Sequence, residues 1–279
     1  MNMGPFVKWA GGKGQLVERL ISRIPARFGT YYEPFIGGGA VLLELRPENA
    51  IVSDVNEQLI NVYNQLQHDA RNVIREVRHI EETPCSREYY YAKRDRYNEK
   101  IMNHELDAEC AGLMIWINKH CFNGLYRVNA QGLFNVPYNG NDRANSIDET
   151  NLIDIGNFLN FHNINILVQD FEETCNTVEA GDFVYFDSPY IPISDTAGFT
   201  DYTRDGFSYE DHVRLARLFA ELDHRGAHVM LSNNNVPLTY KLYHGFRIET
   251  VEVRRNINSD PDNRRGTEVI ITNYDTVRV

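Results

Sequence analysis

Phe183-Val184-Tyr185-Phe186-Asp187-Ser188-Pro189-Tyr190 is an apolar run that stops at a carboxylate, a small polar residue, a proline and an aromatic ring. A short continuous apolar run bounded by a turn signal reads as a buried strand. Pro189 fixes its own φ and pushes Ser188 into an extended conformation, so the direction of the Ser188 carbonyl is set in advance. Asp187 and that carbonyl are both acceptors, which suits the exocyclic NH2 of a base, and Tyr190 is expected as an exposed ring for stacking on the base plane. The same residues also read as an ordinary strand-to-loop exit with a turn-forming Asp and Pro.

On either side of this stretch, strand and helix patterns alternate. Upstream, Tyr31-Tyr32-Glu33-Pro34-Phe35 leads into Gly37-Gly38-Gly39 and the apolar run from Ala40 to Leu45, a strand, a glycine turn and a helix. The strand Ala50-Ile51-Val52-Ser53 then ends in Asp54, roughly 20 residues past the glycine turn, where Rossmann-like folds hold a ribose diol. Asp54 equally reads as a cap for the helix that begins near Glu57. Downstream come the strand from Ile164 to Val168 before Asp170-Phe171, an amphipathic helix near Tyr209 to Leu222, the strand from His228 to Ser232, and terminal strands over Arg247 to Val253 and Glu268 to Thr272. This alternation predicts a mostly parallel α/β sheet with ligands at the carboxyl ends of its strands. Asp54, Asp170 and Asp187 all fall at such ends, which suggests one shared cleft.

Before the glycine turn, Phe6-Val7-Lys8-Trp9-Ala10-Gly11-Gly12-Lys13 precedes an amphipathic run from Gln15 to Ile21, a loop opening a helix. Glycines there permit close backbone approach, and a helix N-terminus favours an anion such as a ligand carboxylate. The spacing is not that of a phosphate-cradling Walker loop. Between about Asn56 and Asn145 the character changes to helical runs, a basic stretch around Arg87 to Lys100, and a segment from Cys121 to Tyr138 dense in Asn, Gly and aromatics. That segment reads as a hairpin. Its Arg and aromatics suit base reading by wedging and bidentate contact, or the aromatics pack inward as structure.

Composition bounds the reading. At 279 residues with 42% hydrophobic content the chain can bury a sizeable core. Its net charge of −11 argues against a general polyanion coat, although Lys8 with Lys13, Lys93-Arg94-Asp95-Arg96, Arg254-Arg255 and Arg264-Arg265 form local basic groups. Each group also reads as a solvated face. The four scattered cysteines show no zinc spacing and are expected to stay reduced in a cytoplasm, and no metal site is expected. Met1 to Pro5 lacks the pattern of a secretory signal, and no apolar run is long enough to span a membrane.

Taken together, Phe6-x-Lys8-Trp9-x-Gly11-Gly12-Lys13, Glu33-Pro34-Phe35-x-Gly37-Gly38-Gly39, Asp54-x-Asn56, Phe122-Asn123-Gly124-Leu125-Tyr126-Arg127-x-Asn129, Phe134-Asn135-Val136-Pro137, Asp187-x-Pro189-Tyr190 and Leu231-Ser232-Asn233 resemble the ordered motifs of the Dam-type, D12-class DNA adenine-N6 methyltransferases. The resemblance covers nearly the whole chain. It implies a Rossmann-like catalytic domain over residues 1–56 and 146–279 that holds S-adenosylmethionine, with a helical and hairpin target-recognition insert over 57–145. By position, Trp9, Lys13, Glu33, Phe35, Gly37, Gly39, Asp54 and Asp187 match cofactor contacts, Asp54 being the ribose ligand, and Asp170-Phe171 sits where the family meets the cofactor's adenine. Lys8, Leu125, Arg127 and Pro137 match target-reading positions, and Phe122 with Asn123 matches those that enter double-stranded DNA beside the extruded base. GATC is the first site expected; pairing with a restriction enzyme, regulation of a genome and protection of a phage are all left open, as is the oligomeric state.

Two departures stand out. The family's usual Asp-Pro-Pro-Tyr has Ser188 at its second position here, which keeps the carbonyl and loosens the turn by roughly 0.4–1 kcal/mol of chain entropy. After Tyr138 the family often continues Gly-Arg-Tyr-Lys, whereas this chain has Asn139-Gly140-Asn141-Asp142-Arg143. The implied chemistry is methyl transfer to an amine held by Asp187 and the Ser188 carbonyl, on an adenine that Tyr190 stacks against after extrusion. Rival readings move the amine to N4 of cytosine, an RNA adenine or a protein glutamine, or take the chain as a non-enzymatic binder with a decayed motif.

Overall fold

A computed structural model describes residues 3–9, 11–14, 16–141, 147–193, 206–254 and 265–275. Ala10, Gln15, Asp142, Arg143, Arg255 and Arg264 lie outside the described residues, as do the side chains of Arg254 and Arg265. In chain order the elements are α1 (Val17–Ile21), β1 (Tyr31–Glu33), α2 (Ala40–Leu45), β2 (Asn49–Asp54), α3 (Glu57–Glu81), α4 (Arg87–Met102), α5 (Ala108–His120), α6 (Glu149–Phe161), β3 (Asn163–Val168), α7 (Phe171–Thr174), β4 (Phe183–Phe186), α8 (Tyr209–His224), β5 (His228–Asn234), α9 (Pro237–Leu242), β6 (Arg247–Arg254) and β7 (Arg265–Thr272).

The chain divides into two compact units. One comprises Lys13–Phe35, Asn49–Ser53 and Gln169–Val279; the other comprises Met1–Gly12, Ile36–Glu48 and Asp54–Val168. In the first, β2, β1, β4 and β5 pair in parallel, and β7 and β6 continue the sheet antiparallel. The sheet is seven-stranded, β3 being its seventh strand. β4 is apolar throughout because it is buried on both faces: Phe183, Val184, Tyr185 and Phe186 all have no exposed surface. Around it Leu215, Phe219 and Leu222 of α8 pack with Val229 and Leu231 of β5 and Val269 and Ile271 of β7. Ser208 and Asp211 form a capping box that starts α8. The chain runs from β1 to β2 on one side and from β4 to β5 on the other, so strand order reverses beside β1, where sheets of this kind open a crevice at the strands' carboxyl ends.

The other unit is mainly helical. α3 is interrupted at Asp69, whose carboxylate accepts the N–H groups of Arg71 and Asn72 and so caps the helix that resumes. α5 is buried nearly all round, with Trp116 in its interior, and Asp107 caps its start. Lys100 of α4 is 4% exposed and lies 2.7–2.8 Å from Glu105, Asp107 and Glu109, which ties the α4–α5 turn to α4. The hairpin expected between Cys121 and Tyr138 forms as two isolated antiparallel bridges, Cys121 with Tyr138 and Val128 with Phe134, rather than a ladder.

Candidate active site

Asp187 leaves the carboxyl end of β4 with its side chain 19% exposed. The Lys13 ammonium, 6% exposed, lies 2.5 Å from Asp187 Oδ1 and 4.5 Å from the centroid of the Tyr190 ring. Burial raises the Asp187 pKa, and the Lys13 cation together with a Ser232 hydrogen bond opposes that rise. Tyr190, expected as an exposed ring, is half-buried. Its hydroxyl donates to Glu268 Oε2 of β7 at 2.9 Å, and its ring carries the Lys13 cation, so two contacts draw it in from solvent. Ser188 is 2% exposed and its hydroxyl has no partner among the described residues, whereas Pro189 is exposed. Asn233 Oδ1 accepts the N–H groups of Ile191 and Asn234, at 3.0 and 2.8 Å, and so pins the chain just beyond Tyr190.

The expected anion site at a helix N-terminus has little to draw on among the described residues around Lys13. α1 is five residues long, and the N–H groups of Leu16 and Val17 are bonded to the Lys13 carbonyl. Glu33 ends β1 buried at 2% exposure and accepts the Tyr31 hydroxyl at 2.9 Å. Phe35 stacks on Phe171 with centroids 5.4 Å apart, and the Arg214 guanidinium lies 4.8 Å from the Phe171 centroid. Asp170 caps α7 by accepting the Glu172 N–H and pairs with Arg214 at 3.1 Å. Phe171 is thereby a core residue as well as a cofactor candidate.

In the second unit, Asp54 ends β2 and accepts the N–H of Gly37 on Oδ2 at 3.2 Å and that of Asn56 on Oδ1 at 2.9 Å. The helix cap is Asn56, which accepts the Leu59 N–H, so Asp54 does not cap α3. Burial raises the Asp54 pKa against those backbone bonds. Gly37 and Gly39 have φ of +48° and +69°, and a Cβ on Gly37 would lie 2.9 Å from the Trp9 ring. Trp9 therefore lies flush against the glycine turn. The Trp9 ring also lies beside that of Tyr126, at 5.2 Å between centroids.

The hairpin divides its side chains between two faces. Phe134 and Val136 are buried, and Tyr126 and Tyr138 are half-buried, while Lys8, Phe122, Asn123, Leu125, Arg127 and Pro137 are all exposed. The inward-packing reading holds for Phe134, and the exposed side chains are the ones left available to a partner. Asn118 accepts the Lys8 N–H and donates to the carbonyls of Lys8 and Gly124, and the Lys8 side chain lies over Gly124, whose φ is +66°. Arg127 Nε donates to Asn135 Oδ1 at 2.7 Å. Asn98 of α4 both donates to the Phe134 carbonyl and accepts its N–H, standing in for a strand partner.

Sequence reasoning singled out Leu231-Ser232-Asn233 without assigning it a role, read Tyr185 and Glu268 only as strand residues, and did not single out Asn98 or Arg214. Among the described residues no cluster of His, Cys, Asp and Glu is suited to a metal ion, and no helix is long and apolar enough to cross a membrane. A family model described as D12 class N6 adenine-specific DNA methyltransferase matches residues 9–257. The chain is 41% identical over 276 residues, 98% of its length and 96% of the relative's, to the type II methyltransferase M1.LlaDCHI of Lactococcus lactis subsp. cremoris. It is 40% identical over 292 residues, 98% of its length and 100% of the relative's, to the type II methyltransferase M.MjaIII of Methanocaldococcus jannaschii. To the DNA adenine methylase of Escherichia coli K12 it is 30% identical over 271 residues, covering 96% and 94%.

Proposed function

The chain belongs to the D12 class of N6 adenine-specific DNA methyltransferases, which depend on S-adenosylmethionine, and from that premise we propose that it methylates an adenine extruded from GATC in double-stranded DNA. The observation that carries this reading is Asp187: a carboxylate at the crevice end of β4, whose pKa burial raises and the adjacent Lys13 cation opposes, beside the half-buried ring of Tyr190. The adenine amine is a poor nucleophile because its lone pair is delocalised into the ring. Asp187 and the Ser188 carbonyl accept its two hydrogens and let the nitrogen pyramidalise; Tyr190 stacks on the base. Methyl transfer would form an N–C bond as the cofactor's methyl–sulfur bond breaks with its electron pair left on sulfur, and the one amine proton released would go to Asp187. Most of the acceleration then comes from positioning and charge complementarity.

The residues present fit the cofactor. Each Asp54 oxygen accepts a backbone N–H and keeps acceptor capacity for a ribose hydroxyl, and Gly37 and Gly39 keep the adjoining turn free of side chains. When bound, S-adenosylmethionine supplies an activated methyl group. Trp9, Lys13, Glu33, Phe35, Asp170 and Phe171 complete the proposed cofactor set. Residues 57–145 form the proposed recognition insert, with Arg127 donating to guanine, Phe122 and Asn123 entering the duplex, and Lys8, Leu125 and Pro137 flanking them. Extrusion is required because a base inside a duplex cannot reach a buried carboxylate. The names of the two type II relatives support pairing with a restriction enzyme, and four free buried cysteines fit a reducing cytoplasm. The test is transfer of labelled methyl from S-adenosylmethionine to duplexes with and without GATC. Equal labelling of both overturns the proposed site, and labelled cytosine in place of adenine overturns the acceptor.

A further inference from the structure

Asp187 has two described partners, and both are on one oxygen. The Lys13 ammonium and the Ser232 hydroxyl lie 2.5 and 3.3 Å from Oδ1, while Oδ2 has no partner among the described residues. Ser232, on β5, has no exposed surface, and its Oγ is 2.9 Å from the hydroxyl of Tyr185, which is equally buried on β4. An ionised carboxylate donates nothing, so the single Ser232 proton goes to Oδ1, and the Tyr185 hydroxyl must donate to Ser232 Oγ. The result is a directed chain, Tyr185 to Ser232 to Asp187, inside the sheet. Left to itself, a carboxylate turns broadly about its last torsion. Two donors on one oxygen fix its plane and leave the other oxygen facing outward.

We propose that Ser232, backed by Tyr185, is a positioning residue for methyl transfer: it anchors Asp187 Oδ1 so that Oδ2 is the oxygen presented to the target amine. The inference rests on the reading of Asp187 as the residue that holds that amine. Its physical basis is the steep dependence of such reactions on placement, where a misplacement of about 1 Å costs on the order of a hundredfold in rate. The charged and titratable groups around Asp187 are Lys13 ahead of α1, Tyr31 and Glu33 of β1, Tyr185 of β4, Tyr190 beyond it, and Glu268 of β7. Burial pushes the three tyrosines well above their usual range, so they stay neutral wherever Asp187 titrates. The Ser232 bond favours the ionised carboxylate. Removing it raises the Asp187 pKa, so the acid limb of kcat must move to higher pH.

The experiment uses the full chain with S-adenosylmethionine and a duplex that the wild type methylates, and compares Ser232→Ala, Tyr185→Phe and Asp187→Asn. Ser232→Ala should lower kcat by about ten- to a hundredfold, the range expected for one hydrogen bond to a charged group. It should leave cofactor affinity unchanged and shift the acid limb upward; Tyr185→Phe should do the same more weakly. An unchanged kcat in Ser232→Ala, or a lowered kcat with an unmoved acid limb, overturns the proposal, because a merely structural role would not touch titration. If Ser232→Ala fails to fold, Tyr185→Phe decides, and wild-type kcat with a wild-type acid limb in that variant is the overturning result. Full activity of Asp187→Asn sinks the reading of Asp187 and this proposal with it, whereas an inactive Asp187→Asn beside an unchanged Ser232→Ala sinks the proposal alone.

Discussion

Ser188 occupies the position where the family's motif usually has proline, and its surroundings show what the substitution changes. The side chain is 2% exposed, and its hydroxyl has no partner among the described residues. A buried hydroxyl without a bond costs about 1–3 kcal/mol, and a residue freer than proline adds roughly 0.4–1 kcal/mol of chain entropy to be lost on folding. Both effects weaken the turn and neither touches the carbonyl proposed to accept from the amine. Ser188→Pro is therefore expected to raise the melting temperature and to keep kcat within about tenfold of wild type, a barrier change below roughly 1.4 kcal/mol. Calorimetry and single-turnover methylation check the two halves. A folded but inactive variant would show that the Ser188 hydroxyl takes part in the reaction.

The hairpin between Cys121 and Tyr138 shows how an element with little ladder of its own is held. Two isolated bridges are a weak frame, since a lone two-stranded hairpin is marginal in water. Asn98 of α4 and Asn118 of α5 supply bonds that a neighbouring strand would otherwise make. Asn98→Ala removes two hydrogen bonds of about 1 kcal/mol each. It should speed amide exchange at Phe134 and weaken DNA binding by about tenfold or more, with cofactor affinity unchanged; unchanged exchange would mean that the hairpin does not depend on α4. Arg127 tests the same element by a different readout. Its Nε is held by Asn135, which fixes the guanidinium plane on an exposed surface. A bidentate contact to guanine contributes about 1–3 kcal/mol of discrimination, so Arg127→Ala should narrow the gap between the proposed GATC site and its single-base variants. An equal loss at every site would make Arg127 a positioning or structural residue.

For the molecule as a whole, a net charge of −11 has to coexist with a polyanionic partner. Attraction must come from local basic groups, and the antiparallel register pairs Arg254 with Arg265 at the end of the β6–β7 ladder, next to Arg255 and Arg264 in sequence. Such a group would meet phosphates, which carry no direct base information. Replacing the four arginines by glutamine should weaken binding to all DNA sites alike. It should also flatten the dependence of log K on log salt, by about 0.9 for each phosphate that is no longer neutralised. Binding isotherms at several salt concentrations decide this, and wild-type slopes would make the group a solvated face.

The sequence by itself determined the seven strands in order and several of the helices between them, though not α6, α7 or α9, because the signals it carries are local: the unbroken apolar run of β4, the amphipathic period of α8 and the glycine turn before α2 each lie within a few residues. It also determined the family, since ordered motifs survive without any knowledge of contacts. Only the tertiary structure decided which groups those motifs meet. Lys13 on Asp187, Ser232 on Asp187, Glu268 on Tyr190 and Asn98 on Phe134 join residues 174, 45, 78 and 36 positions apart. The half-buried state of Tyr190 and the anchoring of a single Asp187 oxygen follow from these long-range pairs. Periodicity records which face of an element is apolar, but a hydrogen bond between distant side chains is set by how strands are ordered and registered in the sheet, and that leaves no local trace in the chain.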